Sequence, residues 1–487
     1  MKSPSLVSIS AVTLLVSCAG PPAQMSPDWT TSVPSQWRGA SGTADYANTG
    51  WLRSFQDPEL ETLVGEAMAN NPDLQASAAR LDQAAADAQR AGATLYPQVD
   101  LVGNGSRNKS ISRAGSFTGG AGGFDDFDNF IINRTNSLGV SLDVTWEVDI
   151  WGRVRKGQSA AIADTQAAAA DFAAARLSLA GQVAKAWFAA AEQYLQFKLA
   201  EETRDSFSRT AEIVRSRFER GLESATDVHL AQSSAADAKA SYQSAQQNFN
   251  QSVRALEILL GRYPSKELQV AQDLRAVPPS IPAGLPSDLL KRRPDLQAAE
   301  RRLAASDQRV GEARAAFLPR VALTASGGTS SDALRDLVDP KHFVWNFLIN
   351  LTQPLIDGGS RQADLSRAKA VVREAGAQYQ STALTAFREV EDALDAESLL
   401  QTRESALLEA SEQARMAYER SESEYQQGLI GITTVLDAQR RYLDTRRTYL
   451  TVKRIRLDNR IDLHLALGGD FTDTTTLQPT SESLSSL

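Results

Sequence analysis

The sequence predicts a mainly α-helical, internally duplicated fold with a small β part, and three observations carry this prediction. Residues 72–105 recur at 294–327, at a constant offset of 222 residues. Residues 221–261 recur at 428–468, at an offset of 207. Within each copy, a segment of alternating apolar and polar residues, typical of a strand, precedes long helical runs. Because duplication decides the architecture, it takes priority over local patterns.

The composition narrows the function before any motif is considered. The 487-residue chain has a net charge of −8 and one cysteine. Mild acidity without a lysine or arginine cluster argues against nucleic acid as a partner. One cysteine excludes a disulfide framework, and the three histidines lie on different predicted elements without neighbouring ligands. We therefore expect no metal site, no cofactor other than a covalent lipid, and no enzymatic activity.

The N-terminus has the pattern of an export signal. Residues 1–17 carry one positive charge and a mostly apolar run that is too short to span a membrane. Leu15-Val-Ser-Cys18 resembles the bacterial lipobox, which predicts lipidation of Cys18 and a lipidated tether at 18–57. Ala19 then favours the outer membrane over the inner one. The alternative is an ordinary secretory signal with an incidental cysteine.

The first repeat is predicted at 58–262. It opens with a helix near 70–92, with Asn71 as its cap and Pro72 at the first position. Strands are predicted at about 97–103 and 137–149, the second from 13 strictly alternating residues. The Gly-, Asn- and Ser-rich segment 104–136 between them is predicted as an exposed loop. A long helix at 155–220 and a shorter one at 225–261 complete the repeat.

The second repeat follows the same order. A linker at 263–290 precedes it, the repeat covers 291–468, and a tail follows at 469–487. Its leading helix and trailing helix together nearly equal the long helix in length, so we expect each repeat to form a rod of roughly 100 Å. The predicted elements are strands at about 319–327 and 343–352 and helices at 360–427 and 432–467.

The strands predict a membrane pore. Strands of about ten residues with one apolar and one polar face suit a transmembrane barrel. Four strands cannot close, eight leave an interior filled by side chains, and twelve leave a lumen. Three chains with four strands each give a 12-stranded barrel, so we expect a homotrimer if the barrel is a channel. The alternative is a soluble sheet with the same alternation.

Several motifs together resemble the outer-membrane efflux proteins of the TolC/OprM type, from about residue 18 to 470. The resemblance implies a trimeric conduit, with a β-barrel in the outer membrane and a long α-helical barrel in the periplasm. It also implies the exit duct of a tripartite efflux system, which works with a periplasmic adaptor and a proton-driven inner-membrane transporter. The motifs are Trp51-Leu-Arg-Ser-Phe-Gln-Asp-Pro-Glu-Leu60, Asn71-Pro-Asp-Leu-Gln75, Trp146-Glu-Val-Asp-Ile-Trp-Gly-Arg153, Gln353-Pro-Leu-Ile-Asp-Gly-Gly359 and Leu436-Asp-Ala-Gln-Arg440.

Two alternatives to drug efflux stay open at this point. One is the duct of a type I protein secretion system, which shares the scaffold. The other is a non-channel periplasmic lipoprotein whose helices act as a tether, although the alternating strand at 137–149 argues against it. The sequence does not identify the transported substrate.

The resemblance assigns roles to residues at the two glycine turns. The turns would form the periplasmic tip, where the adaptor docks and the duct closes. Tyr425 matches a tyrosine that contacts an aspartate equivalent to Asp227. Asp437 matches an acidic residue of the constriction ring, and the alternative is a solvated carboxylate on a helix face. The implied docking residues are Arg217, Gly221, Leu222, Gly428 and Leu429, and the implied gate and pore residues are Thr226, Asp227, Tyr425 and Asp437.

Two departures from the family pattern affect the predicted gate. Ile430 stands where TolC has a gating arginine, and Thr434 stands where it has an acidic ring residue. We therefore expect the gate of this chain to rely less on ion pairs. A ring of three Asp437 carboxylates would still favour cations.

Overall fold

A computed structural model describes residues 37–38, 50–113, 130–279, 284 and 286–471. The signal at 1–17, Cys18, most of the tether and nearly all of the tail lie outside the described residues. The chain divides into two compact units. The strand unit contains Ala84–Thr165 and Arg301–Ala375, and the helical unit contains Ser26–Gln83, Gln166–Glu300 and Gly376–Leu487, so far as these are described.

The strand unit is built on one antiparallel sheet. Its strand order follows the chain, β1-β2-β3-β4. β1 pairs with β2 from Gln98 opposite Thr145 to Arg113 opposite Phe130. The strands are β1 Gln98–Arg113, β2 Phe130–Val148, β3 Arg320–Ser331 and β4 Phe343–Thr352.

The prediction of a loop over 104–136 is wrong at both of its ends. β1 continues to Arg113 and β2 begins at Phe130, so only 114–129 remain between them, outside the described residues. The outer parts carry polar residues on both faces, so the alternation that marks a half-buried strand is lost. The backbone ladder does not need that alternation, and Lys109 still pairs with Arg134. β4 has the predicted bounds, whereas β3 extends past residue 327 to Ser331.

The sheet leaves much of its apolar surface uncovered. Every residue of β4 is exposed, including the apolar side chains of Phe343, Trp345 and Phe347. Among the described residues, β1 and β4 each pair with a strand on one side only. Open edges and exposed apolar side chains are features of a surface that further strands and an apolar environment would cover.

The helices reproduce the duplication with equal lengths. α2 and α6 have 22 residues each, α3 and α7 have 67, and α4 and α8 have 35. The corresponding predicted bounds agree within two residues. The helices are α1 Pro58–Asn70, α2 Pro72–Ala93, α3 Arg153–Glu219, α4 Ala225–Leu259, α5 Pro286–Arg292, α6 Pro294–Ala315, α7 Ser360–Gln426 and α8 Ile432–Ala466.

The two repeats use different residues to connect the start of their leading helix to the end of their trailing helix. Asn71 caps α2 by accepting from the Leu74 N–H at 3.0 Å, as predicted, and its Nδ2 donates to the Leu259 carbonyl at the end of α4 at 2.9 Å. Arg293 is 222 residues further on, and its Nη1 donates to the Ala466 carbonyl at the end of α8 at 3.2 Å. In both repeats, the start of one helix therefore satisfies an unpaired carbonyl at the end of another.

The motif that begins at Trp51 has a packing role in the helical unit. Trp51 and Phe55 are buried in the main apolar core with Trp187. Asp57 is also buried, caps α1 through the Leu60 N–H, and accepts the Trp187 Nε1–H at 2.9 Å. The motif therefore joins the short leading helix to the long helix α3.

No helix among the described residues combines the length and the apolarity needed to cross a membrane. The same residues contain no group of three or more histidine, cysteine or acidic side chains placed to hold a metal ion.

Candidate functional site

Two helical hairpins, α3–α4 and α7–α8, each have one turn between their helices, and the two turns have the same backbone conformation. Gly221 follows the end of α3 by two residues and Gly428 follows the end of α7 by two residues, and their φ angles are 73° and 75°. The Leu222 N–H donates to the Arg217 carbonyl at 2.9 Å, and the Leu429 N–H donates to the Glu424 carbonyl at 3.0 Å. These bonds define a Schellman ending, which glycine adopts without the strain that a side chain would add.

The helices that follow the turns begin differently. Ser224 caps α4 by accepting from the Asp227 N–H at 3.2 Å, and the Asp227 carboxylate accepts from the Ser224 N–H at 3.3 Å. This reciprocal pair is a capping box. α8 begins after Gly431, which provides no side-chain cap, and Thr434 stands where the first hairpin has Asp227. Asp227 therefore has a local role in starting its own helix.

Arg217 connects the two turns within the helical unit. Its Nη1 donates to the Tyr425 carbonyl at 2.9 Å, and its guanidinium lies 4.7 Å from the centre of the Tyr425 ring. Its Nε is 3.4 Å from the carboxylate of Glu223. All three side chains are largely buried. The result is a cation–π contact with a carboxylate beside the same guanidinium.

Tyr425 has a buried hydroxyl group. This hydroxyl makes no hydrogen bond within the part of the chain that the structure describes. Burial raises the pKa of Tyr425, and the Glu223 carboxylate, which is close to the hydroxyl although no hydrogen bond of standard geometry joins them, raises it further by favouring the neutral phenol. The phenol is therefore neutral at physiological pH and packs mainly through its ring.

A mixed core supports the two turns. Its apolar members include Phe207, Val214 and Leu436. The Ser206 hydroxyl and the Tyr418 hydroxyl are 2.8 Å apart, and Gln439 Nε2 donates to the same serine at 2.8 Å. Because these polar groups are partnered inside an apolar cluster, they fix how α3, α7 and α8 meet.

The outer surface of the turns carries two leucines. Leu222 is 63% exposed and Leu429 is 68% exposed, at positions 207 residues apart. Thr226 is also exposed. The Asp437 side chain is 79% exposed, and its nearest cation, Arg440, is 3.9 Å away. These residues are available to a partner or to water.

The structure brings together some of the predicted site residues and separates others. Arg217 and Tyr425 are in contact, and Gly428 lies beside Arg217. No hydrogen bond joins Tyr425 to Asp227 among the described residues. Sequence reasoning missed Glu223, and it missed the capping role of Ser224, although the spacing from Ser224 to Asp227 fits a capping box.

Away from the turns, the contacts between α3 and α4 differ from those between α7 and α8. In the first hairpin, the rings of Phe197 and Phe249 stack with their centres 5.9 Å apart. Counting 207 residues onward gives Glu404 and Arg456, which form an ion pair at 2.8 Å. Arg456 also pairs with Glu397 at 3.0 Å. An aromatic contact in one repeat thus occupies the place of an ion pair in the other.

This architecture defines a class of protein. The chain belongs to the outer membrane efflux protein family, whose model matches residues 63–262 and 285–469. The resemblance noted in the sequence is therefore confirmed, as is the fold class of a duplicated, TolC-like chain.

Curated relatives match over nearly the whole chain. TtgC of Pseudomonas putida, a probable efflux pump outer membrane protein, is 31% identical over 97% of this chain and 96% of its own length. OpmQ of Pseudomonas aeruginosa, a pyoverdine export outer membrane protein, is 32% identical over 96% and 97%. CusC of Escherichia coli, a cation efflux system protein, is 30% identical over 90% and 93%.

Solved structures share the fold. The CmeC outer membrane channel of Campylobacter jejuni superposes with a TM-score of 0.82 at 25% identity, covering 96% of this chain and 97% of that one. The open state of the MtrE outer membrane channel of Neisseria gonorrhoeae gives 0.79 at 29% identity, covering 94% and 100%. The chain is thus similar in sequence and fold to outer-membrane channels of efflux systems.

Proposed function

We propose that the chain is the outer-membrane exit duct of a tripartite efflux system. It conducts small molecules passively and catalyses no reaction. One observation carries the pore: a four-stranded sheet with two open edges and exposed apolar side chains. Three copies joined edge to edge give twelve strands, which closes the sheet and leaves a lumen. The assembly is a homotrimer in the outer membrane.

The helical turns are the proposed docking surface. A periplasmic adaptor contacts the tip through Leu222 and Leu429, and an inner-membrane transporter, proton-driven, supplies the energy. Support comes from the exposure of both leucines on backbones that the two repeats share. The cargo is a drug or another small molecule. The names of the relatives include a pyoverdine export protein and a cation efflux system protein, so the scaffold alone does not fix the substrate.

Cys18 is the proposed site of a lipid anchor. The support is the lipobox-like sequence that ends at this residue. Cells labelled with radioactive palmitate should incorporate it into the wild-type protein and not into Cys18→Ala. Labelling that persists in the variant contradicts the anchor and leaves the channel proposal unaffected.

A conductance measurement tests the pore. Purified protein in a planar bilayer should give channels, and replacing Asp437 and Tyr425 should increase their open probability if these residues restrict the duct. A preparation that gives no channels, even with both residues replaced, contradicts the pore.

A second experiment tests docking separately from conduction. Leu222→Asp with Leu429→Asp should abolish efflux in cells while the bilayer conductance stays unchanged. Leu399→Asp is the matched control, because Leu399 on α7 is also 63% exposed and lies far along the sequence from either turn. Equal loss of efflux in the control would remove the turns as the docking surface.

A further inference from the structure

A groove in the strand unit is lined by an unusual number of cations. It lies between α6 and α7 and has a volume of about 610 Å³. Two carboxylates, Glu312 and Asp364, share the lining. The cations are all guanidinium groups, from Arg153, Arg309, Arg320, Arg361 and Arg367.

Most carboxylates that pair with the arginines of the groove do not line the groove themselves. Arg309 pairs with Asp164 and Arg361 pairs with Asp357, and neither carboxylate lines the groove. Arg153 and Arg320 share the carboxylate of Glu147, which also lies outside the lining, and Arg153 is 3.6 Å from Glu312 inside it. Among the described residues, Arg367 has no ion pair and no hydrogen bond from its side chain. A guanidinium has five N–H donors, so one carboxylate partner leaves donors for a ligand. Within the part of the chain that the structure describes, the groove therefore has one guanidinium without an ion pair, Arg367, and unused N–H donors on the paired ones.

The first repeat provides an internal comparison. The repeat positions of Arg309, Arg320, Arg361 and Arg367 carry no arginine. There α2 and α3 approach closely, and the Thr165 hydroxyl donates to the Ala84 carbonyl at 2.9 Å. Four of the five lining arginines thus belong to the second repeat and Arg153 belongs to the first, so the groove is not a feature that the duplication repeats. The corresponding first-repeat residues are Asp87, Gln98, Val154 and Ala160.

Apolar surface lies next to the groove along the chain. β4 carries exposed Phe347, Ile349 and Leu351, and Leu355 and Ile356 continue this surface almost fully exposed. Arg361 on the wall of the groove follows five residues later. A ligand that satisfies both features has apolar chains and an anionic group that accepts several N–H donors. Phosphate is the anion that arginine binds in a bidentate manner, alongside carboxylate.

We propose that this groove binds the phosphate of a phospholipid headgroup, with the acyl chains against the exposed apolar residues that follow β4. Arg309 and Arg367 contact the phosphate, and the other three guanidinium groups, each already paired with a carboxylate, line the rest of the groove. The inference rests on the proposed function, because it requires the sheet to lie in the outer membrane. It adds a lipid site that the channel itself does not need.

Native mass spectrometry of the full-length protein tests the site. Delipidated protein in a neutral detergent is mixed with dioleoyl phosphatidylglycerol, and bound lipid is counted per chain. Arg309→Gln with Arg367→Gln should lower the apparent affinity by about tenfold or more, because two charge-assisted contacts are lost. Arg90→Gln is the matched control, because Arg90 is a first-repeat arginine paired with Asp87 at 3.0 Å. It should bind lipid like the wild type.

Two further probes separate recognition of the phosphate from non-specific binding of the acyl chains. Dioleoylglycerol has the same chains without the phosphate and should bind equally weakly to the wild type and the double variant. Unchanged phosphatidylglycerol binding in the double variant overturns the proposal. If the wild type binds inorganic phosphate but not phosphatidylglycerol, the ligand of the groove is free phosphate, and the proposal of a lipid headgroup is wrong.

The result is independent of the channel proposal. The same spectra show whether the double variant keeps the oligomeric state of the wild type, which controls for misfolding. Its bilayer conductance should equal that of the wild type. Loss of lipid with normal conductance supports the site, whereas absence of conductance in both proteins contradicts the proposed function and not the phosphate contacts.

Discussion

The hairpins α3–α4 and α7–α8 have the same backbone and different chemistry between their helices. Helix lengths are equal, and a glycine with left-handed backbone follows the end of each long helix by two residues. Phe197 and Phe249 stack in the first hairpin, whereas Glu404 and Arg456 form an ion pair at the same positions in the second. The comparison teaches that glycine placement and helix length set the hairpin, while the side chains between the helices can be exchanged.

Breaking the ion pair should give the largest effect. Arg456→Leu leaves the largely buried Glu404 without an ion-pair partner among the described residues and Glu397 with Arg460 alone, and should lower the free energy of unfolding by about 3–5 kcal/mol. Phe249→Leu, at the equivalent position, should cost about 1 kcal/mol because ring contacts with Phe197, Tyr194 and Lys266 are lost but no charge is left unpaired. Urea titration of both variants in detergent measures the difference, and equal losses would contradict it.

Transplanting the aromatic pair sharpens the same comparison. Glu404→Phe with Arg456→Phe places the first-repeat contact in the second hairpin. Removing both charges together avoids an unpaired charge, because Glu397 keeps Arg460 at 2.8 Å, so the double variant should stay within about 1 kcal/mol of the wild type. A loss as large as that of Arg456→Leu alone would show that the two hairpins are not interchangeable.

The shared glycine endings should respond equally. Gly221→Ala and Gly428→Ala should each cost about 1–2 kcal/mol, since both need a left-handed backbone and neither new methyl group meets a close atom. Thermal unfolding of the two variants measures this. Gly376→Ala is the control. It lies inside α7 with open space around it and should stabilise the protein by about 0.5–1 kcal/mol. Unequal losses at the two turns would contradict the common backbone.

The helix starts should differ by about 1 kcal/mol. Ser224→Ala removes the cap of α4 and should cost this amount. Gly431→Ser with Thr434→Asp installs the same capping box at α8, and should raise the free energy of unfolding by about 0.5 kcal/mol. Chemical denaturation of each variant provides the measurement. A destabilised α8 variant would show that its turn cannot accept the first-repeat geometry.

The smallest effect is expected at the tyrosines. Tyr425→Phe removes a hydroxyl without a hydrogen-bond partner and should change the free energy of unfolding by less than about 0.5 kcal/mol at pH 7. Tyr418→Phe loses the contact with Ser206 and should cost about 1 kcal/mol. Denaturation of both variants at pH 7 tests the order of these effects.

The pH dependence provides a second measurement on Tyr425. Because burial raises its pKa, the unfolded chain releases this proton first as the pH rises above about 10. Wild-type stability should therefore fall with pH in that range through this group, and Tyr425→Phe should show a shallower fall. If the free energy of unfolding falls equally steeply with pH in both proteins, the Tyr425 hydroxyl is exposed to water and the expected burial is wrong.

Much of this molecule follows from its sequence because duplication fixes the order and length of its elements. The cap at Asn71 and both turn glycines were predictable from local chemistry, and the structure confirms them. The outer part of β1 was not, because polar residues on both faces hide a strand whose ladder depends on β2. The contact between Arg217 and Tyr425 joins residues 208 apart, and no local pattern reports such a meeting.

The open edges of the sheet have a consequence for how the protein reaches its final state. β1 and β4 expose backbone groups that one chain leaves without a strand partner among its described residues. Stability should therefore depend on the concentration of copies, because assembly and completion of the fold are a single equilibrium. Chains made faster than they meet one another would present adhesive strands, so the rate of synthesis becomes a determinant of yield.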